Sequence, residues 1–259
     1  MNTWRFIPLT IKNGFWNMAL DEAILTAVIE GKSPNTLRFY KWEPSTASIG
    51  RNQSLSDEID LQFALERGFN VVRRITGGGA VFHDEFREIT YSIVCPIKFL
   101  EKLGANKVLD QFEMITQGII GGLSNFGLKP EKDVIHCPAI LLDGKKFSGN
   151  AQIRRKGYLL QHGTILLDIA PELMYSVLKT PENVSKSRMI RSVRAKCIGI
   201  KNIIPNYEER KLLRSLKYGF EKALRINCVD GFFTEEETKL AEELVLKKYS
   251  TQNWLKKYD

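Results

Sequence analysis

The sequence predicts an α+β fold in which mixed, mostly antiparallel sheets are flanked by helices, and three observations carry that prediction. Helical spacing of apolar residues marks 17–29, 106–126, 207–226 and 235–248. Short runs rich in β-branched and aromatic residues fill much of the chain between the first two helices and return at 139–167. Turn residues separate many of these runs by only a few positions, which favours hairpins over the long crossovers that a parallel sheet needs.

In helix 17–29, Met18, Leu20, Ala23, Ile24 and Val28 make a broad apolar face. Strands at 36–42 and 46–50 flank a turn at Pro44, strands at 70–75 and 80–82 flank Gly77-Gly78-Gly79, and another strand covers 89–94. Helix 106–126 holds Gly118, Gly121 and Gly122. Each costs about 1 kcal/mol in a helix interior, so close packing against a neighbour is expected to explain them. Strands at 139–142, 145–153 and 159–167 form a meander with turns at Asp143-Gly144 and Lys156-Gly157, bringing the sheet to about seven strands. A short helix at 171–178 precedes a basic polar segment at 186–201. Leu212, Leu216, Phe220 and Leu224 recur every four residues in helix 207–226, and the last helix, 235–248, opens with a capping box from Thr234 to Glu237.

No internal repeat, low-complexity stretch or linker divides the 259 residues, so one domain spanning 1–259 is expected. The composition, 43% hydrophobic and 26% charged, is that of a globular protein rather than a disordered one. No apolar run is long enough to span a membrane, and the first residues lack the layout of a signal peptide, so the expectation is a cytoplasmic chain without a membrane partner. Cys95, Cys137, Cys197 and Cys228 are far apart and show no close pair of the kind that starts a metal site; reduced thiols and no metal centre are expected. A net charge of +8 suits a polyanionic partner, but no aromatic and basic motif supports nucleic acid.

The most informative stretch is Arg73-Arg74-Ile75-Thr76-Gly77-Gly78-Gly79-Ala80-Val81-Phe82-His83-Asp84. Three glycines between two strands free the backbone to bring N–H groups close to a bound phosphate. The stretch is not a Walker loop, which ends in Gly-Lys-Ser/Thr, and it does not open a helix as a dinucleotide fingerprint does.

This stretch resembles the glycine-rich motif of the lipoate-protein ligase family, and further similarities follow in order. They are Asn17-Met18-Ala19-Leu20-Asp21-Glu22-Ala23, Ile49-Gly50-Arg51-Asn52-Gln53, Lys145-Lys146-Phe147-Ser148-Gly149-Asn150-Ala151-Gln152, Gln161-His162-Gly163-Thr164-Ile165-Leu166, and Lys248-Tyr249-Ser250-Thr251 with Trp254. The resemblance implies a biotin/lipoate ligase-like catalytic domain. It also implies an ATP-dependent ligase that converts lipoate to lipoyl-adenylate, with ATP and Mg2+ as cosubstrates, and passes the lipoyl group to a carrier lysine. The implied carriers are lipoyl domains, on the acyltransferase subunit of 2-oxoacid dehydrogenases or as the glycine cleavage H protein.

Residue by residue, the resemblance places the catalytic lysine on Lys146, where an ammonium can offset the charge that develops in acyl transfer. Arg74 and the backbone of Gly77, Gly78, Gly79, Ala80, Val81 and Phe82 fall on nucleotide-binding positions, and Ser148 and Gly149 lie in the lysine motif. His83 and His162 are expected to shape the site by hydrogen bonding. Alternation along a strand puts Lys146 inward and Lys145 on the surface. Arg73 is expected to pair with an acidic neighbour.

Two departures bear on the route. Where ligases of the family carry Asn-Asp before the lysine, this chain has Pro138 and Ala139, and Cys137 follows His136. The related octanoyl and lipoyl transferases use a cysteine in this loop to form an acyl-thioester without ATP, which makes Cys137 the alternative nucleophile. The chain also ends without the accessory domain common in bacterial ligases, so a separate accessory subunit is expected for a ligase, with helix 235–248 as a contact surface.

Overall fold

β1 (Asn2–Lys12) leads into α1 (Gly14–Ile29), whose apolar residues surround the helix instead of striping one side, and such a helix has to be buried. Asn13 caps it by accepting from the Trp16 amide. The computed structural model describes residues 2–132 and 139–259. After α1 come β2 (Thr36–Trp42), β3 (Thr46–Ile49), α2 (Leu55–Glu58), α3 (Leu61–Glu66), β4 (Asn70–Arg73), β5 (Val81–His83) and β6 (Glu88–Pro96). The middle of the chain forms α4 (Ile97–Lys102), α5 (Val108–Phe126), β7 (Pro130–Lys132), β8 (Ile140–Leu142), β9 (Lys145–Ser148), β10 (Asn150–Arg155) and β11 (Tyr158–Leu166). The last part holds α6 (Pro171–Val177), α7 (Lys186–Lys196), α8 (Glu209–Leu224), β12 (Ile226–Asp230), α9 (Glu235–Leu244) and α10 (Gln252–Leu255).

The largest sheet has six strands in the order β10-β11-β6-β2-β1-β12, with β1 parallel to both of its neighbours and the other pairings antiparallel. Both faces are covered, so adjacent residues on one strand enter different cores. Phe39, Ile93 and Leu159 meet α5 and α8, while Tyr40, Val94 and Leu160 meet α1. The glycines of α5 have the expected cause: a Cβ on Gly219 of α8 would lie 2.2 Å from the carbonyl oxygen of Gly118, so the two helices cross backbone to backbone.

Two three-stranded sheets, β4-β3-β5 and β7-β8-β9, stand beside the large one. The fold is therefore mixed α+β, as expected, but a single sheet of about seven strands was the wrong arrangement. The run 145–153 divides at Gly149, because the chain leaves one sheet and enters another: β9 pairs with β8, whereas β10 pairs with β11. β1 and β12 were not foreseen. The segment 186–201 is not simply a polar stretch, since Ser185 caps α7 and Met189, Ile190 and Val193 pack against the third core cluster. Its charges had obscured a one-sided apolar spacing.

The capping box of α9 is present, with Glu237 N donating to Thr234 Oγ1 and Thr234 N to Glu237 Oε2. Glu237 is fully buried and also takes both Nη groups of Arg5. In helix 235–248, the expected contact surface, Leu240 and Leu244 pack on the core beside α1 and Leu246 is exposed. No helix among the described residues is long and apolar enough to cross a membrane.

Candidate active site

Where β3, β5, β6, β9 and β11 converge with α1 and α6, they enclose a cavity of about 440 Å³. Its apolar lining includes Met18, Trp42, Phe82, Leu166, Met174 and Leu178, and its polar lining includes Arg74, Lys146, Ser148, His162 and Thr164. That size and composition suit a small ligand with an apolar body and one polar end. Of the glycine triplet, Gly78 and Gly79 line the cavity together with Ala80, Val81, Phe82 and His83. Gly77 is exposed and lies outside the lining.

The turn is held from below. Arg74 is buried; its Nη1 donates to the carbonyl and hydroxyl of Ser48, and its Nη2 to the carbonyls of Gly77 at 2.8 Å and Gly79 at 2.7 Å. Burial lowers the guanidinium pKa to about 10, still charged at neutral pH. Arg74 thus braces the turn that it was expected to help in contacting a phosphate. From the other side Gly50 presses on the turn so closely that a Cβ there would lie 2.0 Å from the Gly78 carbonyl oxygen. Gly78 itself has φ +92°, a backbone conformation that favours glycine.

Two relays of the same kind, carboxylate to histidine to hydroxyl, support this turn, one ending at Thr76 beside the triplet and the other at Ser48 of β3, which accepts from Arg74. In the first, His162 on β11 places Nδ1 3.0 Å from Asp21 of α1 and Nε2 2.8 Å from the hydroxyl of Thr76, the residue before the triplet. Asp21 also accepts from Arg38 and Tyr40, each at 3.0 Å. Burial pushes the Asp21 carboxyl up, but His162 and Arg38 together bring it below its ordinary value. Burial lowers His162, against the pull of Asp21. The pair is therefore ionised aspartate with neutral histidine. An ionised carboxylate only accepts, so Nδ1 carries the proton and Nε2 accepts from Thr76.

The second relay runs from Glu88 through His83 to Ser48, with His83 Nδ1 2.7 Å from Glu88 and Nε2 2.9 Å from Ser48 Oγ. Thr90 donates to the same Glu88 oxygen and accepts from Trp42 Nε1, while the Trp42 ring stacks on His83 at 4.0 Å. Asp21, Glu88, Ser48 and Thr76 were missed as site-shaping residues. One signal was available for Asp21: an acid in the most apolar helix of the chain needs buried partners.

Lys146 and Ser148 alternate on β9 and both line the cavity, while Phe147 between them enters the large core. Lys146 is more exposed than Lys145, because it opens onto the cavity while Lys145 is half-covered at the strand edge. The Lys146 carbonyl accepts from Ile198 N at 3.0 Å, which brings Cys197 to the cavity wall. Burial raises the Cys197 thiol, and Lys146 opposes that shift. Ser148 Oγ is buried without a hydrogen-bond partner among the described residues. Ala139 puts a methyl group on the wall where the ligase pattern has aspartate. Cys137 lies outside the described residues.

Among the described residues Arg73 forms no ion pair with an acid side chain, contrary to expectation. It is fully buried and donates to the carbonyls of Gly50, Arg51, Gln53, Trp254 and Leu255, tying the last helical turn to the base of the site. A planar five-donor fork is suited to a cluster of carbonyls.

Residues 13–220 match the family model of the lipoyl protein ligase A/B catalytic domain, and the chain belongs to that family. Among solved structures, it resembles the chain from a bi-partite lipoate protein ligase and its E2 lipoyl domain from Thermoplasma acidophilum, with TM-score 0.86 and 27% identity over 100% of this chain and 98% of that one. Lipoate-protein ligase A bound with ATP gives TM-score 0.84 and 27% identity, with 100% of each chain covered. The octanoyltransferase LipM of Brevibacillus brevis is 36% identical over 98% of this chain and 99% of its own length. That of Geobacillus kaustophilus is also 36% identical, over 97% of each.

The protein is thus an enzyme of the lipoate ligase and transferase family. The expectation of an ATP-dependent ligase is corrected: full-length relatives more similar in sequence than the ligase structures are octanoyltransferases. The residues agree with that correction. The aspartate suited to organising Mg2+ is replaced by Ala139, and the Glu88 carboxylate at the cavity is held by His83 and Thr90.

Proposed function

We propose that the protein is a cysteine-dependent octanoyltransferase, moving an octanoyl group from a carrier-bound thioester to a lysine of a lipoyl domain without ATP. The observation that carries the reading is the cavity itself, where an apolar interior ends at Lys146, an ammonium that makes no ion pair among the described residues. Octanoyl is an unbranched apolar chain with one carbonyl, matching that division.

In this reading the Cys137 thiolate attacks the donor's acyl carbon. The C–S bond to the donor breaks, the donor thiolate leaves and takes a proton, and an acyl-enzyme thioester remains. The carrier lysine, as a neutral amine, then attacks that thioester. It forms the amide, loses a proton and returns the Cys137 thiolate. Lys146 favours the thiolate and offsets negative charge on the acyl oxygen in both steps. Ser148 Oγ supplies a second donor. The two histidine relays hold the glycine turn that forms the facing wall. The acceptor is a lipoyl domain of a 2-oxoacid dehydrogenase acyltransferase subunit or of the glycine cleavage H protein.

Intact-mass analysis after mixing the protein with octanoyl-acyl carrier protein tests this. An octanoyl adduct on Cys137, lost in Cys137→Ala and discharged by an apo lipoyl domain with no nucleotide present, is the expected result. An adduct that maps to Cys197, or no adduct at all, overturns it.

A further inference from the structure

Helix α7, KSRMIRSVRAK, carries five basic residues and no acidic one. Lys186, Arg188, Arg191, Arg194 and Lys196 are all exposed, whereas Met189, Ile190 and Val193 face the third core cluster. Arg194 is offset by Glu172 on α6, but Arg188 and Arg191 make no ion pair among the described residues. They lie three positions apart, so their side chains share one outward stripe. The helix stands at the rim of the cavity. Its next residue, Cys197, lines the wall and bridges to Lys146, and α6, on which α7 packs, contributes Met174 and Tyr175 to the lining.

An unpaired cationic stripe beside the opening of an acyl site speaks for a partner of opposite charge that must bring its cargo to that opening. We infer that the exposed face of α7 is the docking surface for the acidic carrier protein that delivers the acyl thioester. The inference rests on the transferase reading and adds to it where the donor sits. The basic stripe steers the carrier to the rim and fixes its orientation, while the acyl chain enters the cavity past Cys197 and Lys146. The small side chains Ser192 and Ala195 on the same helix leave room for a carrier surface to approach.

The test compares two octanoyl donors, acyl carrier protein and octanoyl-pantetheine, with the full chain and its Arg188→Glu/Arg191→Glu variant. Neither arginine lines the cavity. With the carrier donor, kcat/KM is expected to fall roughly 30-fold in the variant, and the salt dependence seen with the unaltered protein is expected to flatten. With octanoyl-pantetheine, which has no protein surface, the rate is expected to stay unchanged. Loss with neither donor, or equal loss with both, overturns the docking role and leaves the transferase reading standing. No transfer from either donor by the unaltered protein overturns the transferase reading and this inference with it.

Discussion

His162 Nδ1 lies 3.0 Å from the carboxylate of Asp21, 141 positions away in the chain, and this bond fixes which ring nitrogen faces Thr76. Because Asp21 is also the ion-pair partner of the fully buried Arg38, Asp21→Asn removes a charge that two elements depend on. Arg38 Nε is already without a partner among the described residues. We expect a loss of about 3 kcal/mol in urea denaturation, since breaking a buried pair leaves the other charge uncompensated.

The same pair sets a pH dependence. Both groups have folded pKa values below their ordinary ones, so each contributes stability that is present above its unfolded pKa and is lost as pH falls through the folded value. Stability is expected to decline below about pH 6.5 as His162 resists protonation, and again below about pH 4 as Asp21 does. Denaturation midpoints measured from above the first of these values to below the second are expected, for His162→Gln, to lose the first decline and keep the second. An unchanged profile would count against the neutral-histidine assignment.

Lys146→Ala is expected to lower acyl transfer about 100-fold or more by removing charge stabilisation at the reacting carbonyl. Its side chain is exposed, so the melting temperature should not move. Lys145→Ala is the control on the other face of the strand, and its transfer rate is expected to match that of the unaltered protein.

Ser148→Ala separates stability from activity. Deleting a buried hydroxyl that has no partner among the described residues is expected to leave stability equal or raise it by up to about 1 kcal/mol. If Ser148 Oγ donates to the acyl oxygen, the rate falls about ten-fold while the fold is unharmed. Thermal unfolding and single-turnover kinetics on one preparation decide this.

Gly50→Ala forces a methyl group against the carbonyl of Gly78 at 2.0 Å, a backbone atom that cannot rotate away. A cost of about 1–3 kcal/mol is expected from overpacking, with faster hydrogen exchange at the glycine turn than at α5 and α8. Exchange that stays uniform would mean the strain is absorbed elsewhere.

Much of this was legible in the chain. The apolar spacing of α5, α8 and α9 identified those helices, because a helix repeats its contacts locally and leaves a period in the sequence, whereas the expected apolar face of α1 proved to run all the way round it. The ordered motifs located most of the cavity lining, including Lys146, Ser148 and the glycine turn. α7 was lost among its charges, β1 left no clear alternation because its middle is covered on both faces, and β12 is a short edge strand of five residues with Asn227 and Val229 exposed.

From the chain alone came most of the element types, the family and the motif residues that line part of the site. Tertiary structure alone decided the partners. Asp21 with His162, Arg73 with the carbonyls at Trp254 and Leu255, and Lys146 with the strand end at Cys197 are each brought together from distant positions by the packing of sheets and helices. A buried charge states that it needs a partner, but only the long-range pairing of strands and helices decides which residue answers it, and that pairing leaves no local period to read.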